Sequence, residues 1–111
     1  MAFELNQLRF LIIDDSLHIR KIIKAVCMAM GVKDIVEADN GKDALDILKK
    51  KRITSKSSGR RMFDLIICDW MMPEMSGLEL LRAVRSNSVL KSIPFLMVTA
   101  EHDRELVLQA I

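Results

Sequence analysis

An unbroken apolar run that ends on an acid is the feature that most constrains the fold of this chain. The run is Leu65 to Cys68 and the acid is Asp69, within the stretch FDLIICDWMMPEMSG. Such a run is typical of a strand buried on both faces of a parallel sheet. Ligands of open α/β sheets bind outside the carboxyl ends of the strands. Asp69 therefore stands where we expect chemistry.

Two further runs end on oxygen-bearing side chains in the same way. Residues 8–13, LRFLII, form a predicted first strand that is followed by Asp14 and Asp15. The fourth predicted strand, residues 94–98, is followed by Thr99, a hydroxyl where the other strands carry carboxylates. A short second strand is predicted over residues 33–38. Three acids and a threonine thus follow strand ends.

Helix signals separate the predicted strands. Ser16 can cap a first helix that Gly31 ends, and the Asn40–Gly41 pair leads into a second. Ser76 with Glu79 three residues later forms a capping box that opens a third helix. A final helical segment is predicted over residues 103–111. In the first helix we expect Arg20, Lys21 and Lys24 to face water, and the inward stripe to be Ile19, Ile22, Ile23, Val26 and Met30.

The alternation of strand and helix predicts a doubly wound parallel α/β sheet, because crossovers between parallel strands are right-handed. With strand order 2-1-3-4, strands 1 and 3 are neighbours, so their ends bring Asp14, Asp15 and Asp69 into one pocket beside Thr99. Three crowded carboxylates repel one another unless a cation is present, and oxygen ligands of this kind suit Mg²⁺.

Composition favours one soluble globular domain. The 111 residues are 50% hydrophobic and 29% charged. The net charge of +2 is too small to indicate a class of binding partner. Cys27 and Cys68 lie in apolar segments, which predicts reduced core thiols. The first ten residues lack the features of a signal peptide, and no apolar run approaches a membrane span of about 20 residues. We therefore expect a cytoplasmic protein that contacts no membrane.

A basic stretch interrupts this pattern at residues 49–62, KKKRITSKSSGRRM, which contain no acid. Its middle is predicted to be a flexible basic loop, inserted at the amino-terminal face of the sheet. A solvated insertion is the simpler interpretation. A docking patch for an acidic surface or nucleic acid is the alternative, although the absence of interleaved aromatic residues argues against nucleic acid.

These motifs together resemble the receiver domain of two-component response regulators. The resemblance rests on Asp14-Asp15, on IICDWMMPEMSGLELL and on FLMVTAE, and it covers residues 8–111. The DW, MP and VTAE details are similar to single-domain chemotaxis regulators. It implies a flavodoxin-like sheet, with Asp69 as the phospho-acceptor and Thr99 as the switch hydroxyl. It also implies that Asp14, Asp15 and Asp69 hold Mg²⁺ together with the backbone carbonyl of Met71.

The resemblance further implies a signalling role for residues 1–111 as a receiver domain. The phosphoryl donor would be a sensor histidine kinase, and a downstream protein would bind the face around strand 4 and the helix after it. We expect no enzymatic activity beyond the protein's own phosphorylation. Chemotaxis-type signalling is the expected context.

The chain departs from the family pattern at its carboxyl end. A receiver has a fifth strand and helix, which supply a lysine for the phosphoryl group and an aromatic residue, whereas this chain ends at Ile111. Lys91 precedes strand 4, at its wrong end, and takes no such role. We expect a C-terminally incomplete domain, by truncation or by nature, whose uncovered strand 4 edge could form a homodimer.

A receiver-like interaction module that cannot be phosphorylated is the alternative function. A phosphohydrolase is disfavoured, because residues 70–72 offer no second acid or base.

Overall fold

Four strands and three α-helices alternate along the part of the chain that the structure describes. A computed structural model describes residues 4–56 and 62–98. A 3-10 turn over Leu5–Gln7 precedes the first strand. The elements are β1 (Arg9–Ile13), α1 (Leu17–Met30), β2 (Asp34–Ala38), α2 (Gly41–Lys56), β3 (Leu65–Asp69), α3 (Gly77–Ser86) and β4 (Phe95–Val98).

The strands form one parallel sheet in the order β2-β1-β3-β4, which confirms the predicted doubly wound fold. β1 is central and pairs with β2 on one side and β3 on the other. β4 pairs with the outer side of β3, in a register that places Val98 beside Asp69. Among the described residues, β4 has a strand on one side only.

Apolar side chains cover both faces of the sheet, as the continuous apolar runs predict. Alternate residues of β1 point to opposite faces, so Leu11 and Ile13 belong to one core cluster while Phe10 and Ile12 belong to the other. The larger cluster lies under α2 and α3 and includes Leu48, Phe63, Ile66, Leu80 and Val84. The smaller cluster lies under α1 and includes Cys27, Val32 and Ile67.

The predicted caps begin and end the helices. The Ser16 hydroxyl accepts a hydrogen bond from the Ile19 amide at 3.2 Å, and Gly31 ends α1 with a left-handed φ of 113°. The capping box of Ser76 and Glu79 forms with both of its hydrogen bonds at 3.2 Å. These contacts are local, which is why the sequence pattern found them.

The predicted inward stripe of α1 is wrong at four of its five positions. Only Ile23 and Cys27 of this region pack on the sheet, while Arg20 is largely buried against β2. The helix is therefore rotated about its axis towards β2, where Glu37 attracts the cations of α1. The stripe residues left exposed are Ile19 (41%), Ile22 (47%), Val26 (55%) and Met30 (59%).

The predicted basic loop over residues 49–62 is wrong for its first eight residues, because α2 continues to Lys56. Lysine and arginine are good helix formers, and the first glycine of the stretch is Gly59. Residues 57–61 lie outside the described part of the chain. Met62 and Phe63 are buried, so the chain has returned to the core by residue 62.

Some predictions fall on residues that the structure does not describe. Thr99 and the final helix predicted over residues 103–111 are among them. Cys27 and Cys68 are both buried free thiols, as predicted. Within residues 4–56 and 62–98, none of the helices has the length and apolar character that crossing a bilayer requires.

Candidate functional site

Three acids meet at the carboxyl edge of the sheet. Ile13 pairs with Cys68 in the parallel register of β1 and β3, so the next residues, Asp14 and Asp69, lie side by side. Asp15 joins them, and one carboxylate oxygen from each of the three residues lies within 4.8 Å of the others. The strand ends thus bring together the acids that the sequence placed there.

Asp14 is the buried member of this acid cluster. Its residue surface is only 3% exposed, and its carboxylate accepts a hydrogen bond from the Ser16 amide at 2.8 Å. Burial is the main reason that its pKa is raised, and the charge of Asp15 adds to it, while the Ser16 amide and Arg20 act in the opposite direction. The ionised form of Asp14 is therefore less favourable in the fold than in water.

Asp69 is half-buried and electrostatically coupled to the other two acids. Its pKa is raised first by burial and then by the charge of Asp14, with a smaller effect from Asp15. The backbone amides of Met71 and Trp70 act in the opposite direction, because they stabilise the carboxylate. A cation among the three groups would relieve this repulsion.

The donor set fits Mg²⁺. All three groups offer carboxylate oxygen, which is the ligand type that this hard cation prefers, and one of the three side chains is exposed enough to leave room for water ligands. Met71 follows Asp69 by two residues and its side chain is 58% exposed. Thr99 lies outside the described residues, but its neighbour Val98 accepts a hydrogen bond from the Trp70 amide at 3.0 Å.

The start of α3 packs directly on the end of β3. The Gly77 amide donates to the Trp70 carbonyl at 2.9 Å. A Cβ atom on Gly77 would collide with the carbonyl oxygen of Asp69 and would lie 2.7 Å from the Met97 sulfur. The sequence analysis assigned no role to Gly77. Its role in this close approach depends on tertiary packing, which no local pattern reveals.

Cys68 lies between the core and the acid cluster, but its thiol is unreactive. Burial, together with the charges of Asp69 and Asp14, raises the pKa of its thiol to about 12. The thiol therefore stays protonated, and its sulfur donates to the Asp69 carbonyl at 3.2 Å.

A second charged cluster lies beside the acids, and sequence analysis missed it. Glu37 on β2 accepts from Arg20 at 3.0 Å, from Lys21 at 3.1 Å and from Lys24 at 3.2 Å. Arg20 also donates to the backbone carbonyl of Asp14 at 2.6 Å. The only signal in the sequence was three cations on one helix and one acid in the next strand. This pattern is so common that it does not predict which residues form ion pairs.

The fold and the acid cluster together define a class of protein. It is a doubly wound parallel α/β protein with three acids at the carboxyl ends of neighbouring strands β1 and β3.

Comparison with known proteins places the chain within that class. Residues 10–111 match the family described as the response regulator receiver domain. The chain is 42% identical over 103 residues to the chemotaxis protein CheY of Pseudomonas aeruginosa, a match that covers 93% of this chain and 75% of that protein. It is 38% identical over 105 residues to CheY-3 of Vibrio cholerae, with 95% and 73% covered. The chain belongs to the response regulator receiver domain family.

Solved structures agree with this assignment. The receiver domain of the histidine kinase CKI1 from Arabidopsis thaliana, complexed with Mg²⁺ and BeF3⁻, superposes with a TM-score of 0.78 at 30% identity, covering 96% of this chain and 77% of that one. The chemotaxis response regulator CheY4 of Vibrio cholerae superposes with a TM-score of 0.69 at 33% identity, with 92% and 76% covered. The resemblance to receiver domains inferred from the sequence is confirmed.

Proposed function

We propose that the chain accepts a phosphoryl group on Asp69 from the phosphohistidine of a sensor histidine kinase and thereby changes its binding to a downstream protein. Chemotaxis-type signalling in the cytoplasm is the proposed context. The observation that carries the proposal is the cluster of Asp14, Asp15 and Asp69, whose oxygens lie within 4.8 Å at adjacent strand ends. The similarity to CheY proteins supports the context.

In the proposed reaction, a carboxylate oxygen of Asp69 attacks phosphorus and the bond between phosphorus and the donor imidazole nitrogen breaks. The electron pair of that bond stays on the imidazole, and the product is an acyl phosphate on Asp69. Asp14, Asp15 and Asp69, with the Met71 carbonyl, would hold Mg²⁺, which when bound neutralises the phosphoryl oxygens. The protein catalyses only its own phosphorylation.

The chain's own residues position the nucleophile. The pairing of β3 with β1 and the close packing of Gly77 fix the backbone of Asp69. The amides of Met71 and Trp70 favour its ionised, nucleophilic form. Met71 is exposed beside it, so a donor can approach from solvent.

A route for the output runs from Asp69 to β4. The hydrogen bond from the Trp70 amide to the Val98 carbonyl joins the ends of the two strands, and Thr99 is the next residue. We propose Thr99 as the switch hydroxyl that donates to a phosphoryl oxygen, because the new group brings one to two negative charges. The downstream partner would then bind the face around β4 and the chain that follows it.

Intact mass measurement after treatment with acetyl phosphate and Mg²⁺ tests the proposal. We expect a mass gain of one phosphoryl group, which is lost on hydroxylamine treatment as an acyl phosphate should be. Asp69→Asn should abolish the gain. Asp64→Asn is the matched control, because Asp64 stands just before the other end of β3 and accepts from the Arg9 amide at 2.8 Å.

The alternative function has its own outcome in this experiment. A folded wild type that binds Mg²⁺ but gains no mass would favour a receiver-like interaction module that cannot be phosphorylated. An equal mass gain in Asp69→Asn would show that another residue is the acceptor and would contradict the proposal.

We also propose that two chains can pair through the β4 edge. Among the described strands β4 pairs only with β3, and Leu96 on it is 52% exposed. An unpaired edge with apolar side chains favours association. Light scattering coupled to size exclusion should show a mass that rises above 12.7 kDa with concentration. A constant monomer mass over a hundredfold range would exclude this pairing.

A further inference from the structure

We infer that Arg20 is a positioning residue, which holds the peptide between Asp14 and Asp15 and thereby sets the geometry of the acid cluster. The inference rests on the proposed metal site and deepens it. Its basis is the hydrogen bond of 2.6 Å from the Arg20 guanidinium to the Asp14 carbonyl oxygen.

That carbonyl belongs to the peptide bond that joins the two acids. The Asp14 amide, on the other side of the residue, donates to the Ala38 carbonyl of β2 at 3.2 Å. Both backbone groups of Asp14 are therefore tied, one to β2 and one to Arg20. Rotation of the Asp14–Asp15 peptide plane would break the Arg20 bond and would turn the Asp15 carboxylate relative to Asp69. The guanidinium thus resists the motion that would open the cluster.

Glu37 holds the guanidinium in place. One oxygen of Glu37 accepts from Arg20, and the other accepts from Lys21 and Lys24. The Arg20 side chain is only 12% exposed, so water competes weakly for these bonds. A planar guanidinium can donate to two acceptors in fixed directions, whereas a lysine ammonium is a point charge on a flexible stem. Arginine therefore suits this bridge between β1, α1 and β2.

Charge alone and positioning predict opposite effects on metal affinity. Arg20 is a cation near a site for a cation, so its removal should strengthen Mg²⁺ binding if only its charge mattered. If Arg20 positions the acids, its removal should weaken binding instead. Groups that orient metal ligands typically change affinity by about 10- to 100-fold when they are mutated.

Lys21→Ala is the matched control for Arg20→Ala. It removes the same unit charge from the same helix and the same partner, Glu37, but Lys21 makes its hydrogen bond to Glu37 and none to the Asp14 carbonyl. Calorimetric titration with MgCl₂ should show affinity about tenfold weaker in Arg20→Ala, and unchanged or slightly tighter in Lys21→Ala. Affinity in Arg20→Ala equal to or tighter than that of Lys21→Ala would overturn the inference.

A measurement without metal keeps the inference separate from the proposed site. The backbone carbonyl ¹³C resonance of Asp14 reports the hydrogen bond that it accepts, and it can be measured in metal-free protein. We expect the chemical shift of this resonance to change in Arg20→Ala and to remain the same in Lys21→Ala. The rest of each spectrum should show that the fold is unchanged. An unchanged resonance in Arg20→Ala would overturn the inference. Wild type that binds no Mg²⁺ while the resonance shifts as expected would instead contradict the proposed metal site and support Arg20 as the anchor of the peptide.

Discussion

Replacing Gly77 by alanine should destabilise the protein and disturb Asp69 together. The added Cβ would collide with the Asp69 carbonyl oxygen and lie 3.0 Å from the Trp70 Cα, and both obstacles are backbone. Overpacking of this kind costs about 1–3 kcal/mol, and a backbone obstacle places the cost near the upper end. Alanine regains up to about 1 kcal/mol of helix preference over glycine. The net loss should be about 2 kcal/mol.

Gly41→Ala is the matched control, because Gly41 begins α2 as Gly77 begins α3. Neither glycine has a positive φ, so the helix preference of alanine applies to both. The nearest atoms to a Cβ on Gly41 belong to the Met75 side chain, at 3.0 Å. A flexible methionine can move, so we expect a change within about 0.5 kcal/mol.

Urea unfolding of the two variants and wild type without metal measures the difference. A loss of about 2 kcal/mol corresponds to a fall in melting temperature of about 10 °C for a domain of this size. The Gly77→Ala variant should also bind Mg²⁺ more weakly than Gly41→Ala, because the Asp69 backbone must shift to admit the methyl group. Equal unfolding free energies for the two variants would refute the argument from close packing.

Three further outcomes follow from charge and backbone conformation. Asp69→Asn should stabilise metal-free protein near pH 7, since the pKa of Asp69 is raised and its ionisation opposes folding. In urea titrations this gain should shrink as the pH falls towards the ordinary value of 3.8. Glu37→Gln should cost about 1.5 kcal/mol near neutral pH. Burial would raise the pKa of Glu37, but hydrogen bonds from Lys21, Lys24 and Arg20 lower it from 4.5 to about 2. The same titrations should show the loss complete above 4.5 and vanishing as the pH falls towards 2. Glu74→Gly should stabilise the protein by about 0.5 kcal/mol and so raise its melting temperature slightly, because Glu74 has a left-handed φ of 69° that glycine adopts more easily. A lower melting temperature would contradict the inferred strain.

The strand ends and helix starts could be predicted from the sequence because their signals are local. An apolar run followed by an acid fixes both the end of β3 and the edge at which Asp69 lies. Ser16 and Ser76 accept from amides three residues away, so their caps need no tertiary information. The parallel, doubly wound sheet then follows from the right-handed crossovers. The strand order that brings Asp14 beside Asp69 does not follow from handedness alone, and the structure supplies it.

The rotation of α1 could not be predicted from its apolar spacing. Ile22 and Val26 have the expected period, yet Ile23 and Cys27 are the residues that pack. The orientation also pairs Arg20 with Glu37, which lies on a different element 17 residues away. Apolar periodicity indicates which side of a helix can be buried, but it carries no information about an ion pair with another element.

Gly77 and Arg20 both constrain the backbone that carries the acid cluster. Burial raises the pKa of Asp14 and of Asp69, and the charges of neighbouring acids raise both further, so ionisation of either group is disfavoured in the fold. Such an electrostatically unfavourable arrangement persists only where surrounding contacts hold the backbone in place. Gly77 supplies one constraint by letting α3 press on β3, and Arg20 supplies another by tying the Asp14 carbonyl to Glu37. Removing either constraint should therefore relax the acids before it unfolds the sheet.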